Sequence, residues 1–192
     1  MKLSRVNTLL LITIILVNGI TVVLPFTPVL LFAAEGRGGQ KQQRLEQAVR
    51  AEPSVNTPNR LIMPAALSDQ TVFEGPNALT LKQGVWHRPQ TSTPDKGGNT
   101  VFAAHRFTYT NPRGAFYHLD KLQVGDPVGV VWNGKMYKYT VSEIKTVGPG
   151  AAYIEDPTAE PRLTLYTCTP LTLPKDRLVV IATPQPQETT HE

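Results

Sequence analysis

Short runs of alternating apolar and polar residues fill the chain between residues 59 and 184, and prolines, glycines and other turn-forming residues separate them. Alternation with a period of two is typical of strands that bury one face. The pattern predicts strands over 60–62, 71–73, 100–107, 127–132, 136–147, 162–168 and 177–182. Short strands with closely spaced turns are typical of barrels and sandwiches rather than of parallel α/β sheets. We therefore expect an all-β domain, closed or nearly closed into a barrel of about seven to eight strands.

Two of these strands flank the only cysteine of the chain, Cys168. In the first strand, Leu163 and Leu165 alternate with polar neighbours, so Cys168 is predicted on the face opposite the leucines, at the strand's end. The second strand is apolar without a break from 178 to 181, which is typical of a strand buried on both faces, and Arg177 begins it. The proline-containing segment between the strands predicts a short loop that returns Arg177 towards Cys168.

The N-terminal segment has a different pattern, because residues 6–23 are almost wholly apolar. Eighteen residues of helix are roughly 27 Å long, enough to span a bilayer. Lys2 and Arg5 precede the apolar run, which predicts a cytoplasmic N-terminus and an extracellular remainder. We interpret residues 1–34 as the N-terminus and an uncleaved single-pass anchor. The alternative is a signal peptide cleaved near Ala33 and Ala34, but the apolar run is longer than the usual signal core.

The remaining segments are connections. Residues 35–58 are polar and predict a linker that holds the domain off the membrane, with a short helix over 40–51 whose Leu45 and Val49 share one face. Asn133-Gly134 predicts a tight hairpin. Residues 147–161 form a long connection of the kind that often binds ligands. The folded domain is therefore expected over 59–184, followed by a disordered tail over 185–192.

Composition and charge exclude one class of partner. The formal net charge is +4, and residues 35–192 hold 17 basic and 15 acidic side chains without a basic cluster, so nucleic acid is not an expected partner.

A lone cysteine in an exported domain is an intermolecular bridge, a buried residue or a reactive thiol. The position of Cys168 at a strand end favours the reactive thiol, which needs a base or a positive charge nearby. Four histidines are candidates for that base. His105 ends a run of small and apolar residues and is expected where a strand reaches the rim of the domain. His87 and His118 are expected in a loop and a turn-like connection, and His191 lies in the tail.

The sequence around these residues resembles the sortases, the cysteine transpeptidases of bacterial cell surfaces. Residues 164–168 (TLYTC) resemble the TLxTC signature of that family, with Arg177 nine positions after Cys168 in an RLVV strand. The segments GGNTVFAAHRF and FYHLDKLQVGDPVGV resemble the family's histidine strand and the segment after it. Ala104 stands where the family commonly has glycine. The context of Cys168 is more similar to the housekeeping, class D and class E branches than to the pilus-building one.

The resemblance implies a sortase-like barrel and a role for each residue. Cys168 would attack the threonine carbonyl of an LPxTG-like sorting signal, His105 would act as acid and then as base, and Arg177 would stabilise the oxyanion or hold the substrate backbone. Thr167, Tyr166 and Ala104 are expected to contact the substrate. The implied partners are secreted proteins with a C-terminal sorting signal, and an amine of a cell-wall precursor or a pilin.

Other interpretations of single residues remain open. Arg177 taken alone would be a surface residue paired with Asp176 or Glu143. No cofactor and no metal site are expected. Three acids in the long connection, Glu155, Asp156 and Glu160, suggest calcium only weakly, because they lack regular spacing. Trp86 is expected in the core rather than in a groove.

Three functions are compatible with the sequence. The first is a membrane-anchored sortase that transfers the acyl group of a sorting signal to an amine. The second is a hydrolase that cuts sorting signals without transfer. The third is an inactive barrel that binds a surface ligand and packs Cys168 as a structural residue, which would resist alkylation in the native state.

Overall fold

The computed structural model describes residues 2–23, 32, 38–107, 113–170 and 175–186. The chain divides into two compact units, Met1–Gly39 and Gln40–Glu192. The first unit contains helix α1, Lys2–Val23. The second contains helix α2, Gln40–Arg50, and the β-domain. In the parts of the chain that the structure describes, no helix has the length and apolarity needed to cross a membrane.

The predicted anchor over 1–34 and its alternative cleavage point both involve positions beyond Val23. Residues 24–31 and 33–37 lie outside the described residues, and so do Ala33 and Ala34. The anchor therefore stays a prediction. Most of the predicted tail, residues 187–192 with His191, also lies outside the described part of the chain.

Eight strands close into a barrel in the order β1-β2-β3-β4-β7-β8-β6-β5. The strands are β1 Arg60–Met63, β2 Ser68–Glu74, β3 Val85–His87, β4 Asn99–Ala103, β5 Pro127–Trp132, β6 Lys135–Val147, β7 Arg162–Thr169 and β8 Asp176–Pro184. The pairs β2–β3 and β4–β7 are parallel, and the other neighbours are antiparallel. The expected all-β barrel is confirmed.

All seven predicted strands are present, with bounds that differ by a few residues. The largest difference is in β4, which ends at Ala103 rather than at residue 107, so His105 follows the strand by two residues. The structure adds β3, Val85–His87, which the sequence pattern missed because Gly84 and Pro89 on its two sides favour a loop. Asn133 and Gly134 both have positive φ, 50° and 74°, as the tight β5–β6 hairpin requires.

The inward faces of the strands form one hydrophobic core. The largest side chains that are fully buried there include Phe102, Phe116, Leu61, Met63, Leu119, Leu163 and Leu165. Residues 178–182 of β8 are buried on both faces, as predicted, because the 3-10 helix Ala152–Glu155 of the β6–β7 connection covers its outer face. Ile154 of this 3-10 helix packs against Val179 and Ile181 of β8.

Helix α2 corrects the predicted polar linker. The helix exists over nearly the predicted range, but Val49 is buried against Ile62 of β1 and Val131 of β5, with Leu45 packed beside it. Gly129 permits this approach, because a Cβ there would lie 2.9 Å from the Val49 side chain. The folded unit therefore begins at Gln40 and not at residue 59, because the apolar face of the helix packs against β1 and β5 of the barrel.

Candidate functional site

Cys168 and Arg177 are direct partners in the antiparallel pair β7–β8. Directly opposite residues of an antiparallel pair point to the same face, with Cα atoms about 4.5–5.5 Å apart. Leu163 and Leu165 fill the core on the other face, as predicted for the strand that ends at Cys168. Both functional side chains are half-buried. The thiol and the guanidinium therefore share one spot on the outside of the barrel.

His105 reaches the same spot from the other neighbour of β7. Strand β4 runs parallel to β7, and Ala103 is the partner of Tyr166. One residue after Ala103, the Ala104 amide donates a 3.4 Å hydrogen bond to the Tyr166 carbonyl. Continued by two residues, this register sets His105 beside Cys168 on the outer face, one strand spacing of about 4.8 Å away. The segment that follows β4, strand β7 and strand β8 thus present imidazole, thiol and guanidinium in one row.

Thr167 and Ala104 lie behind this row rather than on its surface. Thr167 is 2% exposed and Ala104 is 5% exposed, because both belong to the inward face. The Thr167 hydroxyl donates a 2.7 Å hydrogen bond to the Ala104 carbonyl. The Thr167 side chain therefore joins β7 to the segment that leads to His105. The inward position of both side chains corrects the expectation that they contact substrate. The physical reason is the period of two, which alternates them with Cys168 and His105.

The backbone at Ala104 needs no glycine. In the described part of the chain, Leu67, Gln90 and Asn133 are the non-glycine residues with positive φ. Ala104 is not among them, and its methyl group packs in the hydrophobic core. Alanine is therefore compatible with this position, so the difference noted in the sequence requires no change of backbone.

Tyr166 belongs to the same outer face as Cys168 and forms one wall of the site. Its hydroxyl donates to Glu155 Oε1 at 2.6 Å, and Arg88 Nε donates to the same oxygen at 2.8 Å. Burial, together with the bond to the Glu155 carboxylate, raises the pKa of Tyr166 well above its usual range. The tyrosine is neutral at physiological pH and holds the β6–β7 connection against the strand.

The same connection is fixed at a second point. The buried Asn99 side chain donates to the carbonyls of Ile154 and Asp156, at 3.0 and 2.9 Å. Asn99 Oδ1 in turn accepts from the Thr164 hydroxyl at 2.7 Å. The long connection is therefore held over the outer face of the barrel beside Tyr166, two residues from Cys168.

Arg177 has spare donor capacity. Among the described contacts, its guanidinium has one hydrogen bond, from Nη1 to the main-chain oxygen of Asp176 at 3.2 Å. The alternative partner, Glu143, pairs with Lys145 at 2.9 Å instead. A cation with unused donors next to a thiol is available for a substrate oxygen.

The comparisons with known proteins agree with this geometry. The family model of the sortase domain matches residues 61–185, which is most of the chain. The chain belongs to the sortase family. The family consists of cysteine transpeptidases, and the row of Cys168, His105 and Arg177 is the part of this sortase that fits such chemistry.

One curated relative is "Sortase SrtE1" of Streptomyces coelicolor, 34% identical over 101 residues. The match covers 47% of this sortase but only 28% of that relative. Much of the relative therefore has no counterpart in the match.

Solved structures of sortases share the fold. The lid mutant of Streptococcus agalactiae Sortase C1 is 29% identical, with a TM-score of 0.59 over 67% of this chain and 68% of that one. Sortase A of Listeria monocytogenes is 26% identical, with a TM-score of 0.58 over 66% and 86% of the two chains. A Clostridium perfringens Sortase D5 at 22% identity shares the fold alone, with a TM-score of 0.59 over 75% and 88%. Because these names spread over several classes, membership of class D or E stays a prediction.

Sequence reasoning missed one residue of the site, Arg106. It is 11% exposed and lies between the end of β4, the end of β7 and the 3-10 helix Leu119–Lys121. It binds Asp120 at 2.9 Å and Thr169 Oγ1 at 3.1 Å. The alternation of inward and outward residues could have revealed it. Arg106 directly follows the outward His105, so it points inward, and a charged side chain there needs a buried partner.

The other histidines of the sortase have other surroundings. His87 was expected in a loop but ends β3, where it is 7% exposed. Its Nε2 lies 2.9 Å from the Ser92 carbonyl, and its ring packs edge-on against Phe102 and Trp132. His118 precedes the 3-10 helix that contains Asp120, and burial lowers its pKa. Neither is in the row with Cys168. Trp86 is 3% exposed, in the core as expected.

In the β6–β7 connection, the Glu155 carboxylate already has partners. Glu155 is neutralised by Arg88 and bound by Tyr166. In the residues that the structure describes, no three His, Cys, Asp or Glu side chains are grouped to hold a metal ion. An oxygen-rich calcium site would need Glu155 to leave its arginine.

Proposed function

We propose that this sortase is a cysteine transpeptidase that cleaves an LPxTG-like sorting signal after its threonine and transfers the acyl group to an amine. The observation that supports the proposal most directly is the direct pairing of Cys168 with Arg177, with His105 two residues beyond the end of the neighbouring strand β4. Acyl transfer needs a nucleophile with a proton carrier on one side and a cation on the other, each about one strand spacing away.

In the first step, the Cys168 thiolate attacks the threonine carbonyl carbon, and the carbonyl oxygen becomes negatively charged. Arg177 donates hydrogen bonds to that oxygen, a contribution on the order of 3 kcal/mol to the barrier. His105, as imidazolium, gives its proton to the departing amine while the C–N bond breaks. The products of this step are a thioester on Cys168 and the free C-terminal fragment.

In the second step, an incoming amine attacks the thioester carbon. His105, now neutral, takes a proton from the amine nitrogen, and the C–S bond breaks to release the thiolate and the new amide. Two moderate barriers thus replace one direct amide exchange. The proton returns to the imidazole, so the enzyme ends each cycle as it began.

The substrate would lie along the outer face of β7. Tyr166 is two residues from Cys168 on that face, and its bonded hydroxyl and half-buried ring present an ordered surface. The β6–β7 connection beside it is already fixed by Asn99 and Glu155, so binding pays little ordering entropy there. We expect the residues before the threonine of the signal to contact this wall.

The test is product analysis by mass spectrometry after incubating the full chain with an LPxTG peptide, with and without a glycine-based amine. We expect a new peptide–amine amide when the amine is present. Hydrolysed peptide alone would mean a sorting-signal hydrolase. No cleavage of any sorting-signal variant, together with native Cys168 that resists alkylation, would favour the inactive ligand-binding barrel.

We propose further that residues 1–34 attach the protein to the outer face of the cell membrane in a single pass. The support is the sequence, with an apolar run behind Lys2 and Arg5, and the exposed side chains over residues 6–20 of α1. The implied partners are secreted proteins that carry the sorting signal and an amine of a cell-wall precursor or a pilin. In fractionated bacterial cells the full chain should resist carbonate extraction from membranes, and a variant without residues 1–34 should not. Extraction of both proteins would overturn the anchor.

A further inference from the structure

Arg106 and Thr169 are the chain neighbours of His105 and Cys168. Successive residues of extended chains point to opposite faces. His105 and Cys168 therefore face outward together, and Arg106 and Thr169 meet on the inner side. Their contact, from Arg106 Nη1 to Thr169 Oγ1 at 3.1 Å, lies directly behind the row that holds the imidazole and the thiol.

The contact comes where the sheet no longer holds the two segments together. The last β4–β7 partners are Ala103 and Tyr166, and the next amide bond, from Ala104, is 3.4 Å long. His105 itself lies beyond the ladder. Its carbonyl accepts from the Phe116 amide at 3.1 Å, which ties it to the following segment but not to β7.

Arg106 also reaches a third element. Its Nη2 lies 2.9 Å from Asp120 Oδ2 in the 3-10 helix Leu119–Lys121, and its Nε donates to the Tyr117 carbonyl at 3.4 Å. The guanidinium is planar and forked, so one side chain can bind Asp120, Tyr117 and Thr169 in fixed directions. With 11% of the side chain exposed, these bonds are protected from solvent.

We propose that Arg106 is a positioning residue that holds His105 at a fixed distance from Cys168 by clamping the β4 extension to Thr169 of β7 and to Asp120. It does not touch the substrate. This proposal rests on the proposed function, since proton transfer between imidazole and substrate requires that distance. A displacement of about 1 Å between reacting groups costs up to roughly 100-fold in rate.

Two variants separate positioning from stability. Thr169→Val removes the acceptor on β7 and keeps the Asp120 ion pair, whereas Arg106→Lys keeps the positive charge but loses the forked donors. We expect Thr169→Val to lower kcat for the peptide by about 10-fold with KM within about two-fold, and Arg106→Lys to lower kcat by about 50-fold. Asp69→Asn is the matched control, because it weakens a comparable Arg60–Asp69 pair away from the site, between β1 and β2. It should leave kcat unchanged.

The decisive experiment is a double-mutant cycle between Thr169→Val and His105→Asn. For each variant we would measure kcat, the rate of Cys168 alkylation by iodoacetamide and the melting temperature. Positioning predicts non-additivity: once His105 is replaced, Thr169→Val should change neither rate by more than about two-fold. Additive effects, or losses that follow the melting temperature alone, would overturn the proposal. Alkylation needs no peptide, so wild-type protein inactive towards every peptide would refute the proposed function while the cycle still tests the clamp.

Discussion

Cys168→Ala is expected to lower peptide turnover by at least about 1,000-fold, to the level of the reaction without enzyme. The thiol is the only group in the row that can form the acyl intermediate, because His105 and Arg177 supply a proton and a charge. The measurement is initial rate with a quenched LPxTG peptide. The fold should be unaffected, since Cys168 is half-buried and lies on the outer face of the barrel.

Cys168→Ser is the matched control for shape. It keeps a hydroxyl of similar size at the same place, but a hydroxyl is a far weaker nucleophile near neutral pH. We expect loss of turnover in both variants with melting temperatures near that of the wild type. Turnover of Cys168→Ala above one tenth of the wild-type rate would mean that another group performs the chemistry.

Arg177→Ala is expected to lower kcat by about 100-fold to 1,000-fold with a smaller change in KM. The charge on the carbonyl oxygen is largest in the transition state, so a donor aimed at that oxygen acts mainly on kcat. Steady-state kinetics over a range of peptide concentrations separates the two constants. Arg177→Lys should recover part of kcat, since it keeps the charge but not the forked donors.

A control for the arginine comes from the same sheet. Arg162 begins β7, at the end of the strand away from Cys168, and is also partly buried. Arg162→Gln should leave kcat within about two-fold, because a guanidinium at the far end of β7 makes no contact with the transition state. Equal losses in the Arg162 and Arg177 variants would contradict a role for Arg177 at the oxyanion.

The strand pattern of this chain was readable because its core strands alternate cleanly. Leu163 and Leu165 on one face predicted that Cys168 would be on the other, and the structure bears this out. The hairpin at Asn133-Gly134 was likewise predictable from its own two residues. Strand β3 was missed because the turn-forming residues Gly84 and Pro89 flank it and favour a loop at His87.

Long-range pairing was beyond the sequence pattern alone. Nothing local to β4 says that it lies parallel to β7, 65 residues away at Asn99–Thr164, so the approach of His105 to Cys168 came from resemblance to the sortases. The same alternation that placed Cys168 outward puts Thr167 and Ala104 inward, and it could have prevented their assignment to the substrate. Helix α2 was predicted, but its docking site at Gly129 is visible only in three dimensions.

The central claim, that Cys168 forms an acyl intermediate next to His105 and Arg177, is tested most directly by intact-mass spectrometry of the protein quenched with acid during turnover of an LPxTG peptide. The account predicts an added mass equal to the peptide up to its threonine, located on Cys168 and released by hydroxylamine. Cleavage without any adduct on Cys168, or an equal adduct on the Cys168→Ala protein, would contradict it.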